Sequence, residues 1–167
     1  MAKAFFLDRD GVLNKNAPKH DYIKNWSEFV LLPKVVEAIK LIKDFGYIIV
    51  VISNQRGIAR GLMTVDDVQD IHNNLNKLLQ ENNTKIDAFY FCPHDYVDNC
   101  ECRKPKAGMV CQAVKDFDIT LSDSWLIGDS DTDIRVAETM KIRSLKIKTN
   151  GDLFGAVRLI FEIKTNV

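Results

Sequence analysis

The chain has 167 residues, 46% hydrophobic and 28% charged, enough for roughly one domain with a substantial core. Its 23 basic and 23 acidic side chains cancel, which leaves no electrostatic footprint for a nucleic-acid backbone or an anionic membrane surface. No apolar run reaches the roughly 20 residues of a membrane span, and the start MAKAFFLDRD meets an acid before a signal peptide's apolar stretch develops. A cytoplasmic protein is expected, in which thiols stay reduced and clustered cysteines point to metal or catalysis rather than disulfides.

A first β-prone run, 4–7, leads into Asp8-Arg9-Asp10-Gly11. If the backbone stays extended, the i, i+2 spacing turns both carboxylates to one side, and Gly11 permits a sharp turn. The stretch 12–32 reads as irregular and is expected to cover a site. Pro33 opens a helical pattern with Val36, Ile39 and Phe45 at apolar positions, and Gly46 stands where a helix-terminating glycine belongs. A second run, 47–52, is continuously apolar and ends in Ser53 and Asn54, whose hydroxyl and amide can donate to anionic oxygens or simply form a turn. Thr64 and Asp67 resemble a capping box for a helix with Val68, Ile71, Leu75, Leu78 and Leu79 on one face.

The third run, 87–91, is followed by CPHDYVDNCECRKP, which holds three of the four cysteines and one of the three histidines. Cys92-x-His94 and Cys100-x-Cys102 make a Cys₃His set suited to tetrahedral structural zinc, although the single-residue gaps are tighter than finger spacing. A reduced surface loop is the alternative. Two features favour metal: the stretch has little apolar material to order it, and its end must position Lys104. Pro105 disfavours helix at Lys104, so Arg103 and Lys104 precede the helix expected at 107–117. Cys111 in that helix is expected to be a small core residue. The fourth run, 125–127, ends in Gly128 and Asp129, with Gly128 turning tightly. Asp133 lies four residues later, on the same side if the helix begins at Asp129, or as a cap. A strand at 144–147 and helices at 131–140 and 153–163 complete the pattern. Strand-helix alternation predicts an α/β domain with a mainly parallel sheet, whose ligands gather beyond the carboxyl ends of the strands.

Taken jointly, DRDG, SNQ, the lysine of RKP and GDSDTD resemble the motifs of the haloacid dehalogenase-like phosphohydrolases, in the same order and across essentially the whole chain. The resemblance implies a three-layer, Rossmann-like fold without a large cap domain, forming a single domain over 1–167 that includes a zinc loop at 92–102. It implies Asp8 as nucleophile, Asp10 as general acid/base, and Ser53 and Lys104 as phosphoryl binders; Asp10 can give a proton only if neighbouring carboxylates and burial raise its pKa against the opposing pull of the metal. Magnesium would be held by Asp8, Asp129 and the Asp10 backbone carbonyl, with Asp133 in support. CPH with CxCRKP narrows the resemblance to the histidinol-phosphatase and heptose-bisphosphate phosphatase branch, and NQRGIARG with DRDGVLN fits the latter best. That implies zinc at Cys92, His94, Cys100 and Cys102, with Arg103, Asn54, Gln55, Arg56 and Ser130 around the substrate and Tyr22 and Lys24 as weaker candidates. The implied substrate is a small phosphorylated sugar, a heptose 1,7-bisphosphate on the way to nucleotide-activated heptose for bacterial surface polysaccharide. The implied state is a monomer without nucleic-acid or membrane partners. Histidinol phosphate, a polynucleotide 3'-phosphate and a non-enzymatic phosphoreceiver are the competing readings.

Overall fold

A computed structural model describes residues 1–165, with side chains through Glu162; positions 166 and 167 of the expected span lie outside the described residues. Five parallel strands form one sheet: β1 (Ala4–Leu7), β2 (Ile48–Asn54), β3 (Ala88–Cys92), β4 (Trp125–Gly128) and β5 (Arg143–Lys146), in the order β3-β2-β1-β4-β5. The helices are α1 (Val35–Asp44), α2 (Val65–Glu81), α3 (Gly108–Phe117), α4 (Asp131–Met140) and α5 (Leu153–Thr165). None of them is long and apolar enough to cross a membrane, among the described residues.

The unbroken apolar runs of β1 and β2 follow from burial on both faces. Phe5, Leu7, Ile49 and Val51 point into one core with α1, α2 and α5, while Ala4, Phe6, Val50 and Ile52 point into another with α3 and α4. Each fully buried side chain of this kind contributes about 1.5–3 kcal/mol, so the centre of the sheet is its most strongly held part. It is a three-layer α/β fold, and neither the connection from β1 to α1 nor that from β3 to α3 carries an inserted cap domain.

Several local expectations shift by a residue or a face. Lys34 caps α1, which buries Val35, Ala38, Ile39 and Ile42 rather than the expected Val36 and Phe45. Phe45 ends the helix and stacks on Phe161 with ring centroids 3.8 Å apart. The Thr64–Asp67 capping box forms as expected, with Asp67 N donating to Thr64 Oγ1 at 3.1 Å. Cys111 is a correction: it lies on the exposed face of α3, because Met109, Val110 and Ala113 take the buried positions.

The chain order reverses around β1, with β2 on one side and β4 on the other. At such a switch point the loops leaving adjacent strands part and open a crevice. The segments following β1, β2 and β4 meet there.

Candidate active site

Asp8 directly follows the last residue of β1, and its backbone N–H still donates to Ile127 O of β4 at 3.1 Å. Across the crevice, Lys104 Nζ lies 2.8 Å from Asp8 Oδ1 and 2.6 Å from Asp133 Oδ1, and it donates to Ile52 O at 2.9 Å. Asn54 fixes the lysine's backbone from both sides, accepting from Lys104 N at 3.0 Å and donating to Lys104 O at 3.1 Å. Lys104 is buried, and Asp133 is 0% exposed. Burial alone would push the ammonium down, yet Asp8 and Asp133 hold it above its ordinary range. Burial dominates Asp8 and pushes its carboxyl up to about 7 against the pull of Lys104, with Asp133 and Asp10 adding repulsion.

Asp10 sits in a different environment. Arg9 Nη2 donates to its Oδ1 at 3.0 Å, Asn14 Nδ2 to the same oxygen at 2.9 Å, and Gln55 Nε2 to its Oδ2 at 2.9 Å. Burial pushes this carboxyl up, but Arg9 and the three donors outweigh it and hold it below the usual range. The raised pKa that proton donation requires is therefore not present in the resting protein, because a buried guanidinium lies between the two acids in sequence and turns inward.

Two glycines make room for the remaining acid groups. Gly11 has φ +86°, and a Cβ there would lie 2.3 Å from Asp129 Oδ2. Gly128 is not the expected tight turn but the last residue of β4; a Cβ on it would fall 2.3 Å from Asp133 Cβ. Helix α4 begins at Asp131, at the start of its expected span, with Ser130 as its cap. Asp133 accepts from Ser130 N at 3.1 Å and from Ser130 Oγ at 2.6 Å, so it caps the helix with one oxygen and meets Lys104 with the other. Burial raises the Asp129 carboxyl above its ordinary range. Asp8, Asp129 and Asp133 bring one carboxylate oxygen each within 4.8 Å of one another. Such an all-oxygen set suits a hard divalent cation. The Asp10 carboxylate lies outside this group, being committed to Arg9, Asn14 and Gln55.

A cleft of about 350 Å³ is lined by Asp8, Asp10, Ser53, Asn54, Lys104 and Asp129, together with Asn16, Ser130, Thr132 and Thr149. A second cleft, of about 300 Å³, shares Asn54, Lys104 and Thr132 with it and is lined further by Asp95, Tyr96, Asn99, Arg103 and Lys106. Arg103 is held there by His94 O, to which its Nη1 donates at 3.2 Å, and by the Tyr96 ring 4.1 Å beneath its guanidinium.

The wall of that second cleft is the cysteine loop. Cys92 Sγ lies 3.5 Å from Cys100 Sγ, 3.1 Å from Cys102 Sγ and 3.6 Å from His94 Nδ1, and His94 Nδ1 lies 3.2 Å from Cys102 Sγ. A zinc tetrahedron with Zn–S bonds near 2.3 Å has edges of about 3.8 Å, so the four donors already stand near its corners. The thiols are crowded: burial and the neighbouring sulfurs push Cys102 up to about 12. Several thiolates at these distances require a cation between them. The donors fit zinc.

The family profile described as polynucleotide kinase 3 phosphatase matches residues 3–152. The chain belongs to this family of haloacid dehalogenase-like phosphatases. It is 37% identical over 156 residues to the D-glycero-beta-D-manno-heptose-1,7-bisphosphate 7-phosphatase of Haemophilus ducreyi, covering 89% of this chain and 84% of that one. Over 160 residues it is 37% identical to the D-glycero-D-manno-heptose-1,7-bisphosphate 7-phosphatase of Chlorobaculum tepidum, covering 89% and 79%. The crystal structure of D,D-heptose 1,7-bisphosphate phosphatase from B. bronchiseptica, complexed with magnesium and phosphate, superposes with a TM-score of 0.85 at 26% identity, covering 96% of this chain and 99% of that one.

Within this phosphatase, Asp8, Asp10, Ser53, Lys104 and Asp129 converge on one cleft, as does Ser130. Gln55 stands behind that cleft, 2% exposed and bonded to Asp10 and Ser53. Arg56 turns to Asp95, 2.6 Å from its Nε, and its guanidinium lies over the Tyr96 ring at 4.5 Å. Tyr22 and Lys24 line neither cleft, and Lys24 pairs with Asp21 at 2.8 Å. Sequence reasoning missed Arg9, Asn14, Asn16, Thr132 and Thr149. Arg9 carried a signal, a basic residue wedged between two acids at a strand end, but arginine is mostly exposed. His72 also went unnoticed. It is buried against Phe89 at 4.4 Å, and burial together with Arg9 pushes its imidazole down to about 3, so it is neutral.

Proposed function

We propose that the chain hydrolyses the 7-phosphate of D-glycero-D-manno-heptose 1,7-bisphosphate through an aspartyl-phosphate. The observation that carries this is the pair of contiguous clefts. The first offers Asp8, Lys104 and Ser53 to a phosphoryl group, and the second offers Arg103 to another anionic group of the same molecule, Lys106 beside it being paired with Glu101 at 2.8 Å. The names and coverage of the relatives support the sugar.

In this reading Asp8 attacks phosphorus in line, breaking the P–O7 bond as the P–Oδ bond forms. Lys104 neutralises charge on the phosphoryl oxygens, and the Ser53 hydroxyl donates to one of them. Asp8, Asp129 and Asp133, with the Asp10 backbone carbonyl, would hold magnesium, which when bound supplies positive charge against the dianion. Asp10 moves protons. In the resting site it is ionised, but a phosphate dianion beside it raises its proton affinity, so it can carry a proton to the leaving O7 and then, deprotonated, take one from the water that hydrolyses the intermediate. Asn54 serves by fixing Lys104. Product release would place the sugar on the route to nucleotide-activated heptose for surface polysaccharide, in a monomeric cytoplasmic enzyme.

Phosphate release should be measured for both anomers of the heptose 1,7-bisphosphate, histidinol phosphate and 3'-phosphorylated DNA. The expected result is kcat/KM about 100-fold higher for a heptose bisphosphate, since only a second anionic group on the substrate can make charge-assisted hydrogen bonds with the Arg103 guanidinium lining the second cleft. Equal or better turnover of histidinol phosphate would sink the substrate assignment and leave the phosphatase reading standing. DNA is the less favoured substrate, because net charge is zero.

Zinc at Cys92, His94, Cys100 and Cys102 is structural in this reading, since four protein ligands leave no open position. Its task is to fix the segment that delivers Arg103 and Lys104. Elemental analysis should find about one zinc per chain. Cys102→Ser should lose it, with reduced substrate affinity and turnover, near-native circular dichroism and an undiminished magnesium requirement. Zinc-free protein with full activity would return the cluster to a reduced surface loop.

A further inference from the structure

Behind the paired acids lies a guanidinium shut off from solvent. Arg9 is 0% exposed, and its Nη2 donates to Asp10 Oδ1 at 3.0 Å and to Gln55 Oε1 at 3.3 Å. A guanidinium can only donate. It therefore sets the orientation of the Gln55 amide, with the carbonyl oxygen toward Arg9 and Nε2 away from it. Both Nε2 hydrogens are then used, one on Asp10 Oδ2 at 2.9 Å and one on Ser53 Oγ at 2.7 Å. The Gln55 backbone is pinned as well, its N–H donating to Cys92 O at 2.8 Å.

The consequence falls on Ser53. Its oxygen accepts from Gln55, and among the described residues its own hydrogen meets no protein acceptor. Ser53 lines the cleft that also holds Asp8 and Lys104. With the inward side occupied by a donor, the hydroxyl hydrogen is left to point at whatever occupies that cleft.

We propose that Arg9 and Gln55 form a one-way donor relay that aims the Ser53 hydroxyl hydrogen at the phosphoryl oxygens and holds Asp10 in place for proton transfer. Gln55 is then a positioning residue rather than a substrate contact. The relay rests on the phosphatase reading of Ser53 and Asp10, but not on which sugar is bound. It also gives a reason for a costly feature. Among the described residues Arg9 Nε and Nη1 have no partner, and a buried ionic group kept for stability alone is often replaceable by apolar side chains without loss.

Two substitutions separate this role from simple packing. Gln55→Glu keeps the shape and offers Arg9 a carboxylate, but it reverses the polarity: a carboxylate accepts the Ser53 hydrogen and confronts Asp10 with a second acid. Gln55→Met keeps the bulk and removes both donors without adding an acceptor. Measurements would be thermal melting, the inhibition constant of inorganic phosphate, and kcat and KM for a sugar phosphate and for p-nitrophenyl phosphate, whose leaving group needs no proton.

The expected order of activity is wild type, then Met, then Glu. The Glu variant should lose about 100-fold or more in kcat, as when a donor to a developing anion is removed, and should bind inorganic phosphate about tenfold more weakly. The Met variant should lose less, and less still on p-nitrophenyl phosphate than on the sugar phosphate. A packing role gives the opposite order, because Glu is the closer isostere. A Glu variant that matches wild type in turnover and phosphate inhibition, or exceeds the Met variant in both, overturns the relay. Should the Glu variant melt below assay temperature, the Met variant decides alone, and an unchanged phosphate inhibition constant refutes the proposal. A wild type that hydrolyses neither substrate nor binds phosphate removes the phosphatase reading itself, a different outcome from a relay that fails in an active enzyme.

Discussion

Asp8→Asn is expected to lower kcat on the order of 10⁵-fold, the scale on which removing a nucleophile acts when the rest of the site stays assembled. The amide matches the carboxylate in size, so the arrangement around Lys104 survives, but it cannot form the P–O bond of a phosphoenzyme. The same substitution should not weaken the fold in magnesium-free buffer. Burial raises the folded-state pKa of Asp8 to about 7, above its unfolded value of 3.8. The folded protein then holds this proton more tightly than the unfolded chain does, so its ionisation costs stability as pH rises from about 4 toward 7. The amide removes that cost. Melting at pH 8 in the presence of a chelator should therefore leave Asp8→Asn at or above wild type, while rapid-quench detection of phosphoenzyme falls to background. Near-wild-type turnover would show that another group attacks phosphorus.

This pairing of large catalytic loss with retained stability marks where the sequence was easiest to interpret. Asp8 and Asp129 were legible because each lies just beyond a buried strand, and Ser53 because it is the first polar residue at the end of one, and a parallel sheet directs those positions to one edge. The strands were legible for the same reason: β1 and β2 bury both faces, so their apolar runs are unbroken. Phe45 and Cys111 were misjudged on the helices, where an apolar side chain at a plausible spacing still has to meet a neighbour. α1 turns Val35 and Ala38 inward instead, and α3 turns Met109 and Val110. The direction of the Asp10 shift was not legible, since it depends on Arg9 folding inward and on Gln55 and Asn14 closing around it. Spacing can place two acids side by side. It cannot tell which of them will be met by a buried cation.

The charge pattern around Lys104 yields a stability effect as large as its catalytic one. Its ammonium meets both Asp8 at 2.8 Å and Asp133 at 2.6 Å, and among the described residues Asp133 Oδ1 has no hydrogen-bond partner apart from this ion pair. Lys104→Met keeps most of the side-chain volume and leaves the buried Asp133 carboxylate, beside Asp8, with no counter-charge. Breaking a buried pair from one side costs about 3–5 kcal/mol, which for a chain of this size lowers Tm by roughly 6–20 °C. Turnover should fall about 10³-fold or more, because the phosphoryl group loses a charge that sits in the cleft before substrate arrives. The double variant Lys104→Met/Asp8→Asn separates the two effects: removing one of the two acids should recover part of the lost Tm, by the non-additivity expected of residues in one network, while activity stays at background. A single Lys104→Met variant that melts with wild type would mean that Asp133 finds its compensation elsewhere, and the assignment of Lys104 as the charge organising this site would fall.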